Sequence, residues 1–240
     1  MWVLLFLCLP YFCSAELNSA PSYITKCKLD DQKCLKESTI KAIPEFVKGI
    51  AEAKVDSLEP LKIKEVNATK PGLELIVTDI VVTGLKNCET KDIRRDVEKN
   101  YLFLQVECTV DAVGKYDMNG QILFVPVTGN GDMIAHIKQI LISVDVNYET
   151  IEKAGKQYWK IKTWKYEFEL NKINRSEITF TNIFPHNEVL RKSTELLIKN
   201  SGNEVVEDMG KPLITAVVHK IVKVLAHFFE AYSLELLIEF

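Results

Sequence analysis

The stretch Pro212 to Tyr232, PLITAVVHKIVKVLAHFFEAY, constrains this chain more than any other. From about Glu204 to Tyr232 the polar positions Asp208, Lys211, Thr215, His219, Lys223, His227 and Glu230 recur at steps of three and four, so they share one narrow stripe of a helix. Val206, Met209, Leu213, Ile214, Val217, Val218, Ile221, Val224, Leu225, Phe228 and Phe229 occupy the rest of the circumference. A helix apolar over most of its surface is one that other structure surrounds. At 1.5 Å per residue it would run about 40 Å, with Pro212 expected to set a kink or a new first turn near its start.

The middle of the chain supplies the surrounding structure. In YLFLQVECTV, Leu102, Leu104, Val106, Cys108 and Val110 alternate with mostly polar residues, which predicts a half-buried strand with Cys108 on the apolar face. Ile140, Ile142, Val144 and Val146 share one face of a second long strand; Trp164, Tyr166, Phe168 and Leu170 share one face of a third. LELIVTDIVVTGL is rich in β-branched residues. YDMNGQILFVPV reads as a turn at Asn119-Gly120 feeding the next strand, and GNGDM (129–133) as a strand-connecting turn. Long strands with one wet face imply an antiparallel sheet. A first helix is expected from about Asp31 to Ala51, capped by Asp30 or Asp31 and interrupted at Pro44.

Residues 1–15, MWVLLFLCLPYFCSA, form an uncharged apolar run too short for a membrane span of about 20 residues. The run reads as a secretory leader cut after Ala15, or as late as Ala20, leaving one domain over 16–240. Four cysteines then remain, an even number in a secreted chain, which points to disulfides. Three pairings are open, and proximity favours Cys27–Cys34 with Cys88–Cys108. Asn67-Ala68-Thr69 and Asn174-Arg175-Ser176 are glycosylation sequons, making Asn67 and Asn174 the candidate acceptors. A net charge of −3 gives no electrostatic reason to expect a nucleic-acid or anionic-membrane partner.

Nothing in the sequence points to catalysis. It holds no G-x-S-x-G elbow, no H-E-x-x-H and no phosphate-cradling glycine loop. His219 and His227 stand eight apart on the polar stripe, too far apart for a metal pair without a third ligand, and His136 and His186 have no ligand pattern beside them. Asp30 and Asp31 are explained by helix capping. No enzyme activity, cofactor or metal site is expected.

Five stretches, in order, resemble the insect takeout and juvenile-hormone-binding protein family: YITKCKLDDQKCL, SLEPLKIKEV, VTGLKN, YDMNGQILFVPVTGNGDM and FTNIFPHNEVLRKSTELLIKNSGNEVVEDMGKPL. The likeness extends from about Ser22 to Phe240. It implies an α+β tubular lipid-binding (takeout-like) fold, a strongly curved antiparallel β-sheet wrapping the long C-terminal α-helix. It also implies the Cys27–Cys34 bridge, and a secreted, extracellular carrier in a haemolymph-like fluid. Such a carrier would hold a terpenoid such as juvenile hormone, or a fatty acid-like lipid, in an internal tunnel. Dedicated hormone binders of the family carry a second bridge in the C-terminal half, and this chain has no cysteine after Cys108, so the resemblance favours the broader takeout-like group. Some relatives follow a daily rhythm.

Core-facing residues of such a tube also line its tunnel. The expected lining is therefore Phe124 and Ile142 on strands, the stripe Trp164, Tyr166 and Phe168, and Val217, Ile221, Val224 and Phe228 on the helix. Tyr158, Tyr166 and Tyr232 are candidate hydroxyls for orienting a ligand. The expected partner is a small hydrophobic ligand, with no nucleic acid, no stable membrane insertion and a monomeric protein. The competing reading is an interaction module whose tube is filled by side chains and whose outer surface binds a receptor or a membrane.

Overall fold

A computed structural model describes Leu17 and residues 19–239; the expected leader, residues 1–15, lies outside the described residues. The elements in order are β1 (Cys27–Lys28), α1 (Gln32–Phe46), β2 (Leu61–Asn67), β3 (Leu73–Thr83), β4 (Glu89–Asp96), β5 (Tyr101–Ile122), β6 (Val125–Lys153), β7 (Lys156–Glu169) and β8 (Glu177–Phe180). There follow α2 (Glu188–Asn200), α3 (Gly202–Val205), a π-helical turn (Val206–Gly210), α4 (Lys211–Ala231), α5 (Leu234–Leu237) and β9 (Ile238–Glu239).

The main sheet is antiparallel with the order β2-β3-β5-β6-β7. β5 and β6, 22 and 29 residues long, form its spine. β3 takes the C-terminal half of β5, β4 its N-terminal half, and β8 pairs with β6. The sheet curls without closing, and α4 lies against both edge strands, β2 and β7. The helix thus fills the seam that the curl leaves open. The solvent-facing positions Lys211, His219, Lys223, His227 and Glu230 all belong to the polar stripe read from the sequence. Cross-links fix the seam: Lys220 Nζ meets Asp56 at 2.8 Å, and the Trp164 ring lies 5.9 Å from the His219 ring.

Two of the four register shifts among the described strands, in β6 and β3, preserve the apolar face across a change of parity. In β6, Cys108 pairs with Ile140 while Val110 pairs with Ile137, so β6 carries one extra residue. Gln139 absorbs it with φ 48°, and its N–H donates to Thr109 Oγ1 at 3.1 Å. The inward positions change from odd (Met133, Ala135, Ile137) to even (Ile140, Ile142, Val144, Val146) across that residue. β3 does the same at Asp79, φ 51°: Leu73, Leu75 and Val77 are buried before it, Ile80 and Val82 after it.

Three sequence expectations are corrected. Asn119-Gly120 is not a turn: both lie inside β5, and the chain reverses at Leu123-Phe124. Gly120 is needed because a β-carbon there would come within 2.3 Å of Gly72 O. Likewise 129–133 is continuous β6, and its glycines let the 181–183 segment cross closely, since a β-carbon on Gly131 would stand 2.6 Å from Thr181 O. Helix α1 ends at Phe46, two residues after Pro44, with Asp31 as its N-cap accepting from Cys34 N; Ala51–Ala53 is a separate 3-10 turn.

Pro212 acts as expected at the start of the long helix. It occupies the first turn of α4, and the backbone just before it widens into the π turn. Proline provides no N–H and crowds the carbonyl four residues earlier, which a wider turn relieves. That turn is anchored: Lys70 Nζ bonds Asp208 Oδ1 at 2.5 Å, and Leu123 N donates to Asp208 Oδ2 at 3.3 Å. Cys27–Cys34 and Cys88–Cys108 are both bridged. β1 and β9 pair in parallel, tying the N-terminal segment to the last residues described.

Candidate binding cavity

Between α4 and the concave face of the sheet lies a cavity of about 270 Å³. Its lining consists of hydrocarbon, sulfur and one glycine, with no polar side chain. β5 and β6 form one wall through the alternating sets around Leu104 and Val144, and α4 forms the opposite wall through Leu213, Val217, Ile221 and Leu225. Ile43 and Phe46 of α1 cover one side, and Met209 and Gly210 bring the π turn to the lining. These helix residues are half-exposed because they face a hollow and not packed atoms. By length and composition the helix 202–231 could cross a membrane; in this fold its apolar surface faces the cavity and the core.

Of the residues expected to line a tunnel, Ile142, Val217 and Ile221 stand in the lining of this cavity. Val224 and Phe228 lie behind the lining in packed core, 1% and 5% exposed, with the Phe228 ring edge-on to Phe46 at 5.5 Å. The stripe on β7 lies at the seam: Tyr166 hydrogen-bonds Thr215, Trp164 stacks near Tyr166 and His219, and Phe168 packs on the core. Phe124 is 93% exposed at the β5–β6 reversal, because the turn falls on it and not at Asn119-Gly120. Tyr158, Tyr166 and Tyr232 are absent from the lining.

The wall residues that the expected site omitted were visible in the alternation. Leu102, Leu104, Val106, Cys108 and Val110 all line the cavity, as do Ile140, Val144 and Val146. The same alternation marks β7 equally strongly, and only strand order distinguishes the central strands from an edge. Cys88 and Cys108 contribute their bridge to the lining.

Burial shapes the polar groups that flank the core. Tyr116 donates to Thr181 O at 2.6 Å, and its phenol is pushed up to about 12 by burial. Tyr101 reaches about 12 as well, through burial and then its hydrogen bond to Asp145. Tyr23 is raised to about 12 by burial first and by Tyr232 and Glu52 after it. Asn67 and Asn174 are both on the surface, where a glycan could be attached.

The haemolymph juvenile hormone binding protein family matches residues 3–239 of the chain. The circadian clock-controlled protein daywake of Drosophila yakuba is 26% identical over 205 residues, covering 79% of this chain and 76% of that one. Daywake of Drosophila melanogaster is 26% identical over 204 residues with the same coverages. The crystal structure of Epiphyas postvittana Takeout 1 superposes with a TM-score of 0.85 at 25% identity, over 90% of this chain and 99% of that one.

Proposed function

The chain belongs to the haemolymph juvenile hormone binding protein family, and from that premise we propose that it is a secreted carrier holding one small hydrophobic molecule between helix and sheet. Membership supports lipid or hormone binding in general. One observation of this chain supports the finer reading: a cavity of about 270 Å³ with no polar lining, just below the roughly 300–1,000 Å³ of small-molecule sites. Affinity would come from apolar area at about 25 cal/mol per Å², reduced by the entropy of immobilising the guest. A terpenoid and a fatty acyl chain both suit such a container. The protein acts as a monomer and performs no chemistry on its cargo.

The apolar N-terminal run and two disulfides, which persist in oxidising compartments, support the secreted reading. Glycans at Asn67 and Asn174 would accompany it, and a mass decrease on N-glycosidase treatment would register them.

Native mass spectrometry of the secreted protein, with organic extraction of the bound fraction, tests the carrier reading. A co-purifying lipid or terpenoid of defined mass is the expected result. An empty protein that also refuses a fluorescent fatty acid would overturn it in favour of an interaction module.

A further inference from the structure

Beside one end of the cavity wall, and outside its lining, stands a polar pair that a purely apolar container does not need. Leu102 and Val146 are cross-strand partners and both line the cavity. Arg95 is Leu102's partner on its other side, so it leaves β4 on that same face. Tyr148, two residues beyond Val146 on β6, is buried on that face too; the register shift between Asn147 and Tyr148 places its extra residue on β7. Arg95 and Tyr148 are each only 8% exposed. Trp159 covers both, with its ring 5.8 Å from the guanidinium and 5.1 Å from the Tyr148 ring, and Phe229 of α4 packs edge-on behind it at 5.6 Å.

Arg95 Nε and Nη2 donate to the carbonyls of Lys28 and Leu29 at 2.8–3.2 Å, which among the described residues leaves Nη1 free to take a further acceptor, though it is not among the buried atoms without a partner. Gln32 pins the backbone of Arg95 through both its N–H and its carbonyl, so the side chain is fixed at its root. The Tyr148 hydroxyl is buried without a partner. Buried arginines are usually paired with a carboxylate, and a buried donor left unbonded costs free energy. Asp30, which is exposed, acts on Arg95 through space with no ion pair between them, and Asp96, which acts on Tyr148, is itself held by Lys99 at 2.8 Å.

We propose that Arg95 Nη1 and the Tyr148 hydroxyl form the head-group site of this cavity, and that the molecule carried is a single-chain amphiphile with a carboxylate head. The inference rests on the carrier reading. One uncompensated positive charge calls for one negative charge, and a carboxylate offers an oxygen to each donor, whereas an ester or alcohol would leave the guanidinium unneutralised. The acyl chain would run from Leu102 and Val146 along α4.

Calorimetric binding of palmitic acid and of its methyl ester to the delipidated protein tests the assignment. The acid is expected to bind at least about tenfold more tightly than the ester. Tyr148→Phe, which keeps the ring and its packing on Trp159, should weaken the acid several-fold and leave the ester unchanged. Arg95→Lys should lose most of the preference, although Arg95 also holds the N-terminal segment, so Tyr148→Phe is the cleaner variant. Equal affinity for acid and ester, or equal weakening of both by Tyr148→Phe, would overturn the head-group site alone. Failure of both to bind would overturn the carrier reading together with it.

Discussion

The hydroxyl of Tyr166 and Oγ1 of Thr215 stand 2.6 Å apart, joining edge strand β7 to the polar stripe of α4. Thr215 also donates to Lys211 O at 2.8 Å, so the strand is tied to the first turn after the π segment. Tyr166→Phe removes this link without touching the cavity. It should cost about 1 kcal/mol in urea unfolding and leave ligand uptake unchanged. Loss of uptake at unchanged stability would show instead that Tyr166 reaches the ligand.

Bulk on α4 should act differently at two neighbouring positions. Val217 faces the cavity, and Val217→Trp should abolish uptake of a fluorescent fatty acid while the fold persists. Val224 lies in close-packed core, so Val224→Trp should destabilise by about 1–3 kcal/mol through overpacking. Normal uptake by Val217→Trp would mean that the guest lies elsewhere.

The two disulfides should differ in worth. They close loops of sequence separation 7 and 20, for which chain entropy gives about 2.5 and about 3.3 kcal/mol. Cys88→Ala with Cys108→Ala should also loosen the cavity, since both sulfurs line it, whereas Cys27→Ala with Cys34→Ala should lower stability alone. Denaturant midpoints and uptake measured together separate these outcomes.

Alkaline pH should unfold the protein through its tyrosines. Tyr23, Tyr101 and Tyr116 titrate at about 12 in the folded chain, against about 10 when unfolded. Between these values the unfolded chain has released protons that the folded one retains, so stability is full below about pH 10 and falls as pH rises toward 12. Phenolate absorbance should lag behind a denatured control over that window. Coincident titrations would show that these hydroxyls are not buried.

The sequence by itself settled the parts that depend on local periodicity. The step of three and four on α4 separated its polar stripe from its apolar surface, and period two in β5 and β6 put Leu104 and Val144 on one face. Cysteine spacing favoured the correct bridges, and Pro212 marked the restart of the helix. Tertiary structure decided what periodicity cannot express. The parity shifts fall on Asp79 and Gln139; Gln rarely takes a left-handed backbone, and Asp79 sits inside a β-branched run that reads as plain strand, so neither bulge was readable. Gly120, Gly129 and Gly131 looked like turn residues, yet they serve close approach by segments distant in the chain. Trp164, Tyr166 and Phe168 alternate as cleanly as any cavity residue. They face the seam because β7 is the edge strand, and strand order is set by long-range pairing that a single stretch of sequence does not encode.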